Sequence, residues 1–301
     1  MAMFAAVVRE GGFGKAAAAL GVSKSNVSKQ IGRLEEQLGV RLLARTTRVV
    51  QPTEAGELFY ERCIEMLRVS DEAQGVLSSL QEQAVGRLRM SVPLSFGRAF
   101  LEKPLLRYLD GFPGVQADIE MSDRSSDVIR EGLDIAIRVG PVHDDNLIVK
   151  RLCETRRIVV GSPGYLKDHG APFTPEDVSS HECLLYEYQA APERWVFRRN
   201  NRRVEVAVSG RLRTNNGDFL AAAACAGHGL AYLPDFIVQN YLSNGQLVAV
   251  LESQCQETSV VNVVLPARKH VPVKVRELMR ILQEDMVRYT VVRAASDGEP
   301  D

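Results

Sequence analysis

Residues 16 to 39, AAAALGVSKSNVSKQIGRLEEQLG, predict two helices joined by a tight turn. Ala16–Leu20 is a run of strong helix formers that ends at Gly21, a residue type that stops helices. Ser23 is a good N-cap for a second helix, whose apolar residues recur at spacings of four, three and four: Val27, Ile31, Leu34 and Leu38. This pattern is typical of a helix-turn-helix that enters the DNA major groove, although an ordinary pair of surface helices would also satisfy it.

The outer face of the second helix carries short hydroxyls and cations. Hydroxyl and lysine side chains near the start of such a helix can contact base edges, whereas cations further along bind phosphates. We therefore expect five residues of this helix to contact DNA: Lys24, Ser25, Ser28, Lys29 and Arg33. For Arg33 a phosphate contact and a solvated face are both compatible with the sequence.

A two-stranded wing is predicted after this helix, because residues 40–53 are rich in β-formers interleaved with arginines. Residues 1–53 hold eight lysines and arginines against three acidic residues, a formal charge of about +5 in a chain whose net charge is −1. A basic head on an acidic body indicates that one domain meets phosphates. The wing residues expected to position the DNA backbone are Arg45, Thr47 and Arg48; the alternative is a plain surface hairpin.

A long helix is predicted over residues 54–81, with Thr53 as its N-cap. Its apolar seam alternates spacings of four and three and includes Phe59, Cys63, Met66, Ser70, Ala73, Leu77 and Leu80. A second copy of the helix is the simplest group that would bury this seam, which predicts a dimer. Packing of the seam onto the chain's own domains is the alternative.

Alternating strands and helices are predicted over residues 87–293, after a polar hinge at 82–86. The order strand-helix-strand implies a parallel sheet with crossover helices, one of them expected over Ser126–Gly132. Ligands of open α/β folds bind at the carboxyl ends of strands. The candidates at such positions are Ser95, Phe96, Gly97, Arg138, Asn215 and Asn216. The acidic tail, 294–301, is expected to be disordered.

Ordered motifs along almost the whole chain resemble those of the LysR-type transcriptional regulators. In the head they include Phe4, Val7, Ala16, Ala17, Leu20, Ser23, Ser25, Val27, Ser28, Ile31, Leu34, Glu35, Leu42, Arg45, Thr53, Ala55 and Gly56. Further motifs are Asp134-x-Ala136-Ile137-Arg138, Ser162-Pro163-x-Tyr165-Leu166 and Ala226-Gly227-x-Gly229-Leu230. Gly12 and Gly14 depart from the family, which usually has hydroxyl residues there.

The resemblance implies an α+β winged helix-turn-helix domain (1–53), a dimerising linker helix and an α/β effector domain similar to periplasmic binding proteins. That domain would have two subdomains, 87–161 with 266–293 and 162–265, around a small-molecule cleft. The resemblance also implies tetramers built as pairs of dimers on promoter DNA. It adds four residues to the candidate effector site: Ser122, Asp123, Arg124 and His228. An aromatic or small organic acid is the effector class that we expect.

Other function classes find little support in the sequence. No catalytic motif for hydrolysis, phosphoryl transfer or dinucleotide binding is present, so neither an enzyme nor a cofactor is expected. The five cysteines are scattered without metal-ligand spacing, so buried structural thiols are expected, with redox sensing as the alternative. No targeting or membrane-spanning segment is recognised, which predicts a cytoplasmic protein. A solute-binding protein would share the second half but would not need residues 1–53.

Replacement of Lys29 tests the predicted recognition helix. We expect Lys29→Ala to weaken operator binding and to reduce the slope of log affinity against log salt concentration by about one, because one phosphate-facing cation is removed. A gel-shift series at increasing salt measures both quantities. Unchanged affinity and slope would contradict the assignment.

Overall fold

The computed structural model describes residues 1–45, 50–80, 83–124, 127–144, 146–187, 191–200, 202–255, 258–267 and 271–296. The chain divides into two compact units. The first comprises Met1–Ala84, Ser126–Asp134 and Arg268–Val273, and the second comprises Val85–Ser125, Ile135–Ala267 and Lys274–Asp301. Among the residues so described, no helix has the length and apolar character needed to cross a membrane.

Three short helices open the first unit: α1 (Ala2–Arg9), α2 (Phe13–Leu20) and α3 (Lys24–Leu38). Gly21 ends α2 in the left-handed conformation with φ 64°, where a side chain would be strained. The Ser23 hydroxyl caps α3 by accepting the Asn26 N–H at 3.2 Å. The predicted helix-turn-helix is therefore formed. Val27 and Ile31 are buried as expected, whereas Leu38 is exposed because α3 extends past the core.

The wing consists of two antiparallel strands, β1 (Leu43–Arg45) and β2 (Val50–Pro52). The Glu35 carboxylate of α3 accepts the backbone N–H groups of Leu42 and Leu43 at 2.8 and 3.1 Å. These bonds attach the first wing strand to the recognition helix. Thr47 and Arg48 lie outside the described residues, as does the side chain of Arg45.

The linker helix α4 runs over Glu54–Leu80. The Thr53 hydroxyl caps it by accepting the Gly56 N–H at 3.0 Å and donates to the Arg41 carbonyl at 2.7 Å. One face of α4 packs into the core of the helix-turn-helix, including Phe59, Tyr60, Cys63 and Ile64. The first part of the predicted seam is thus buried within the unit, while Met66 and Ser70 are exposed. The side chains of Ala73, Leu77 and Leu80 lie outside the described residues.

The second unit alternates strands and helices. Its first elements are β3 (Gly86–Val92), α5 (Leu94–Phe96), a π-helical turn (Gly97–Leu101), α6 (Glu102–Gly111), β4 (Val115–Met121), β5 (Ile135–Val139) and β6 (Leu147–Gly161). Next come α7 (Pro163–His169), a 3₁₀ helix (Pro175–Ser180), β7 (Cys183–Tyr186), β8 (Arg194–Arg199), β9 (Arg202–Ala207), β10 (Arg213–Thr214) and α8 (Gly217–Cys225). The last are β11 (Leu230–Pro234), α9 (Asp235–Ser243), β12 (Val248–Val250), β13 (Thr258–Pro266) and α10 (Val273–Ser296).

Nine of these strands form one sheet in the order β10-β7-β11-β6-β13-β5-β3-β4, with β12 also paired to β6, whereas β8 and β9 form a separate two-stranded antiparallel sheet. The strands β3, β4 and β5 are parallel, as are β10, β7 and β11, which confirms the expected α/β architecture. We call the part of the unit that contains β3, β4 and β5 the first half, and the part that contains β7, β10 and β11 the second half. The strand β6 belongs to both, since it pairs with β13 up to Arg156 and with β11 from Arg157. The strand β13 pairs with β5, so it lies in the first half rather than in the second, where it was expected.

Two local expectations were wrong. Residues Val128–Gly132 form turns instead of a helix, because the Asp127 carboxylate accepts the N–H groups of Ile129 and Arg130 and competes with helical hydrogen bonding. The tail does not begin at Ala294, because α10 continues to Ser296. Residues 297–301 lie outside the described part of the chain.

Two helical glycines of the first unit give a matched stability test. A Cβ on Gly56 of α4 would lie 1.9 Å from the Leu42 carbonyl oxygen, whereas a Cβ on Gly32 of α3 would meet no atom within 4 Å. We expect Gly56→Ala to lower the free energy of unfolding by about 1–3 kcal/mol, because the linker helix must move away from the wing. Gly32→Ala should raise it by about 0.5–1 kcal/mol. Urea denaturation of both variants measures the difference, and equal effects would contradict the close contact.

Candidate DNA and effector sites

The outer face of α3 presents the predicted DNA-contacting side chains. Lys24, Ser25, Lys29 and Arg33 are exposed, and Ser28 is half-buried. Ser25 and Lys29 lie four residues apart and therefore share a face, about opposite to the buried Val27. The helix thus offers a hydroxyl and cations to solvent while its apolar side holds it to the core, which is the geometry that major-groove binding requires.

Two residues without a predicted role in DNA binding support this surface. Glu35 fixes the start of the wing to α3, and Thr53 joins the end of the wing to α4 through bonds to Arg41 and Gly56. Glu35 was visible in the sequence only as a family motif position, because its partners are backbone atoms seven and eight residues away. Thr53 was predicted as the N-cap of the linker helix, but its bond to the Arg41 carbonyl was not. The recognition helix and the wing are consequently held as one piece.

The two halves of the second unit meet at a hydrogen bond between Ser95 and Asp218. The buried Ser95 hydroxyl, at the start of α5, donates to the Asp218 carboxylate of α8 at 2.8 Å. The Arg98 guanidinium lies 3.7 Å from the same carboxylate. A Cβ on Gly217 would lie 3.8 Å from the Ser95 hydroxyl oxygen, so the N-terminus of α8 also faces Ser95. We call this region the Ser95–Asp218 junction.

A second carboxylate, that of Asp123, borders the junction. It accepts the Leu94 N–H at 3.0 Å, at the start of α5. Burial raises the pKa of Asp123, the hydrogen bond from Leu94 lowers it, and the charge of Asp218 raises it further, with a net increase. Its neighbours Ser122 and Arg124 are tied to the same loop, since Ser122 N–H donates to the Val92 carbonyl and Arg124 N–H to the Ser122 hydroxyl.

Aromatic rings lie beside the junction. Phe96 and Phe100 of the first half are 5.7 and 5.8 Å from Phe236 of the second half, measured between ring centroids. Phe96 is only 1% exposed, and Gly97, whose Cβ would come within 3.2 Å of Val92 and Met121 atoms, is also buried. Phe96 and Gly97 therefore act in packing the helix start rather than as an open ligand surface.

The remaining candidates divide between the two ends of the sheet. Arg138, at the carboxyl end of β5, donates to the Ile137 carbonyl at 3.0 Å and the Ser91 hydroxyl at 3.4 Å. Asn216 caps α8 by accepting the Phe219 N–H at 2.8 Å, and Asn215 precedes it as an exposed residue. His228 lies past the other end of α8, about 14 Å along the helix. The structure therefore does not bring His228 together with the other candidates, because it precedes β11 whereas Asn215 and Asn216 follow β10.

The cysteines do not form a reactive site. Cys63, Cys153, Cys183 and Cys255 are buried, and Cys225 is half-buried. Burial raises the pKa of Cys183 to about 12 and that of Cys255 to about 11, so neither thiol ionises near neutral pH. In the described part of the chain, no group of three or more His, Cys, Asp or Glu side chains is arranged to hold a metal ion.

A winged helix-turn-helix, a linker helix and a two-half α/β unit define a ligand-binding type of transcriptional regulator. A model of the "LysR substrate binding domain" matches residues 81–287, and one of the "Bacterial regulatory helix-turn-helix protein, lysR family" matches residues 1–57. The chain belongs to the LysR family of transcriptional regulators, as the sequence resemblance predicted, and so is a DNA-binding protein with an effector-binding domain.

Three related proteins illustrate this membership. An uncharacterized HTH-type transcriptional regulator of Haemophilus influenzae is 34% identical over 91% of this chain and 96% of its own length. The HTH-type transcriptional regulator PtxR of Pseudomonas aeruginosa is 33% identical over 98% of this chain and 94% of its own length. CrgA, a LysR-type transcriptional regulator from Neisseria meningitidis, is 28% identical in sequence. Its solved structure matches 94% of this chain and 97% of its own chain, with a TM-score of 0.63.

Thiol alkylation tests the assignment of the cysteines as structural. We expect iodoacetamide at pH 7.5 to modify Cys225 of the folded chain first, because the other thiols are buried and the pKa values of Cys183 and Cys255 are high. Peptide mass spectrometry after timed quenching identifies the modified residues, and a urea-unfolded sample serves as the control. Rapid labelling of Cys183 in the folded protein would contradict the assignment.

Proposed function

We propose that this protein is a sequence-specific transcriptional regulator of the cytoplasm that binds inverted repeats in promoters as a dimer of dimers. A small organic effector, aromatic or carboxylate in type, switches it. DNA contact is assigned to Lys24, Ser25, Ser28, Lys29, Arg33, Arg45, Thr47 and Arg48. Effector contact is assigned to the junction residues Ser95, Asp123 and Asn216, with Ser122, Arg124, Arg138 and Asn215 around them.

The Ser95–Asp218 hydrogen bond is the observation that carries the switching role. It joins the two halves of the effector domain at the carboxyl ends of their strands, where open α/β folds bind ligands. A ligand that displaces this bond changes the relative stability of closed and open arrangements. It can act as a switch only because it binds one arrangement more tightly than the other.

An organic acid suits the donors at this junction. The N-terminus of α8 begins at Gly217 and the Arg98 guanidinium lies nearby, and both attract negative charge. Asp123 and Asp218 oppose an incoming carboxylate, however. The half-buried Asp123, whose pKa is already raised, is the group that would take up a proton as the acid binds.

A dimer through α4 is supported by an apolar stripe that the helix-turn-helix core leaves exposed. Leu58, Met66 and Val69 are 64%, 54% and 53% exposed, on the opposite side of α4 from the buried Tyr60. This stripe, which contains Met66 of the predicted seam but not Phe59 or Cys63, is available to a second copy. A pair of linker helices would then hold two recognition helices at the spacing of an inverted repeat.

Two other functions fit less well. Redox sensing requires a thiolate of lowered pKa, whereas burial raises the pKa of the Cys63, Cys183, Cys225 and Cys255 thiols. A solute-binding role without DNA would leave the exposed cationic face of α3 without a purpose. Relatives that match 91% and 98% of the chain are named as transcriptional regulators, which favours regulation over catalysis.

Calorimetry with matched probes tests the effector class. We expect benzoate or phenylacetate to bind the full-length chain, and benzylamine and benzyl alcohol, which differ in the charge of one group, to bind at least tenfold more weakly. Ser95→Ala should alter the affinity for the bound acid, because it removes the junction bond. Binding of only the neutral or the cationic probe would contradict an acid effector.

The pH dependence of the same titration tests the role of Asp123. Because its pKa is raised in the free protein and rises further beside a bound anion, binding should take up protons and strengthen as the pH falls from 7 towards 5. The binding enthalpy measured in buffers of different ionisation enthalpy reports the proton uptake. Asp123→Asn should abolish it, whereas Asp110→Asn, at an exposed position of α6, should not.

A further inference from the structure

Arginines are concentrated on the hairpin formed by β8 and β9. The hairpin itself holds five arginines and one glutamate, and residues 193–213, which include it and the segment that follows, hold seven arginines and two glutamates, a formal charge of about +5, which equals that of residues 1–53. Because the whole chain carries −1, the residues outside these two segments carry about −11. The hairpin is therefore a local cationic surface on a domain that is otherwise acidic.

The register of the hairpin places like charges directly opposite one another. Arg198 pairs with Arg203 and Arg199 with Arg202, on either side of a turn whose first residue, Asn200, has φ 49°. Opposed residues of an antiparallel pair have Cβ atoms about 5 Å apart, and like charges there are destabilising. Two such pairs in succession are unfavourable for folding, and anions placed between them would relieve the repulsion.

The hairpin is a rigid platform for these side chains. Trp195 and Phe197 are fully buried in the core of the second half, and the Tyr232 hydroxyl donates to the Val196 carbonyl at 2.8 Å. The Arg198 N–H donates to the Gln254 carbonyl at 2.8 Å. The backbone is thus held in place, while all four arginines near the turn are exposed.

Among the described residues, four glutamates lie beside these arginines. Glu205 lies 2.9 Å from Arg203 and 3.8 Å from Arg194, and Glu176 lies 3.5 Å from Arg199. Farther along, Glu193 contacts Arg213 and Glu182 contacts Arg211. These pairs are solvent-exposed and so are individually weak, and counting all four glutamates leaves a formal charge of about +3. Phosphate groups can replace such partners.

We propose that this hairpin is a second, sequence-independent contact of the protein with duplex DNA. The β8 strand spans roughly 17 Å from Arg194 to Arg199, a length along which B-DNA presents about ten phosphate charges. Guanidinium groups bind phosphates in a bidentate manner and position the backbone without reading bases. DNA is the polyanion beside which a member of this family works, which favours it over an acidic protein surface.

Salt dependence on a duplex of random sequence tests the proposal, with the full-length chain throughout. The hairpin variant carries Arg198→Gln, Arg202→Gln and Arg203→Gln. The matched control carries Arg151→Gln, Arg276→Gln and Arg280→Gln, three exposed arginines that also lie beside glutamates. We expect the slope of log affinity against log salt to fall by between about 1 and 3 in the hairpin variant, at about 0.9 for each phosphate that the variant no longer neutralises. The control should keep the wild-type slope.

Each outcome decides the proposal. A wild-type slope in the hairpin variant, or an equal reduction in the control, overturns it. If circular dichroism shows that the glutamine variant does not fold, a variant with lysine at the same three positions replaces it. That variant keeps the charge, so it must fold and retain the wild-type slope. A reduced slope in the lysine variant counts against a phosphate contact. If the hairpin variant binds DNA normally but no longer binds polyglutamate, the partner of this surface is an acidic protein and not DNA. Failure of the wild-type chain to bind any duplex would instead overturn DNA binding by α3.

Discussion

The pairing of β6 with β13 and β11 is the constraint on which the effector domain depends. One strand of fifteen residues serves both halves, pairing with β13 up to Arg156 and with β11 from Arg157, so the two halves are joined through its backbone. At the crossing, the buried Asp235 carboxylate accepts the Thr155 hydroxyl at 2.6 Å and the N–H groups of Arg156 and Phe236. A buried carboxylate without these donors would be strongly unfavourable, so the crossing point is specified by polar contacts as well as by packing.

This arrangement separates a stiff part of the domain from an adjustable one. The crossing at Asp235 is buried and holds the strands in register, whereas the Ser95–Asp218 junction depends on one hydrogen bond and a partly exposed ion pair. Ligand-driven change is therefore expected at the junction rather than at the crossing. The positions of Asp123 and Asp218 add a charge effect, since two carboxylates near each other favour a protonated or ligand-bound state.

Much of the fold could be predicted because it follows from local patterns. The spacing of Val27 and Ile31, the cap at Ser23 and the stop at Gly21 each act within one helix or turn, and the structure has all of them. The predictions that differ depend on contacts distant in sequence. Phe59 and Cys63 have the spacing of a dimer seam, but α1 covers them, and a heptad pattern carries no information about which surface does so.

The candidate sites show the same division. The exposed face of α3 was visible from its period, whereas the roles of Glu35 and Asp218 were not, because their partners are remote or lie in another half of the domain. His228 was grouped with Asn216 through a family motif, although a nine-residue helix separates them. The arginines of β8 and β9 are evident in the sequence, but their opposition across the hairpin requires the register.

The contact between Gly56 and the Leu42 carbonyl has a mechanical consequence. Since no side chain intervenes, the wing, the recognition helix and the start of α4 must turn as one lever. The 27 residues of α4 make this lever about 40 Å long. A rotation of roughly 5° at its far end would displace the recognition helix by about 3.5 Å, which is close to the rise of one base pair. In the dimer proposed above, a small angular change between the two linker helices would therefore change the spacing of the two recognition helices by about the rise of one base pair.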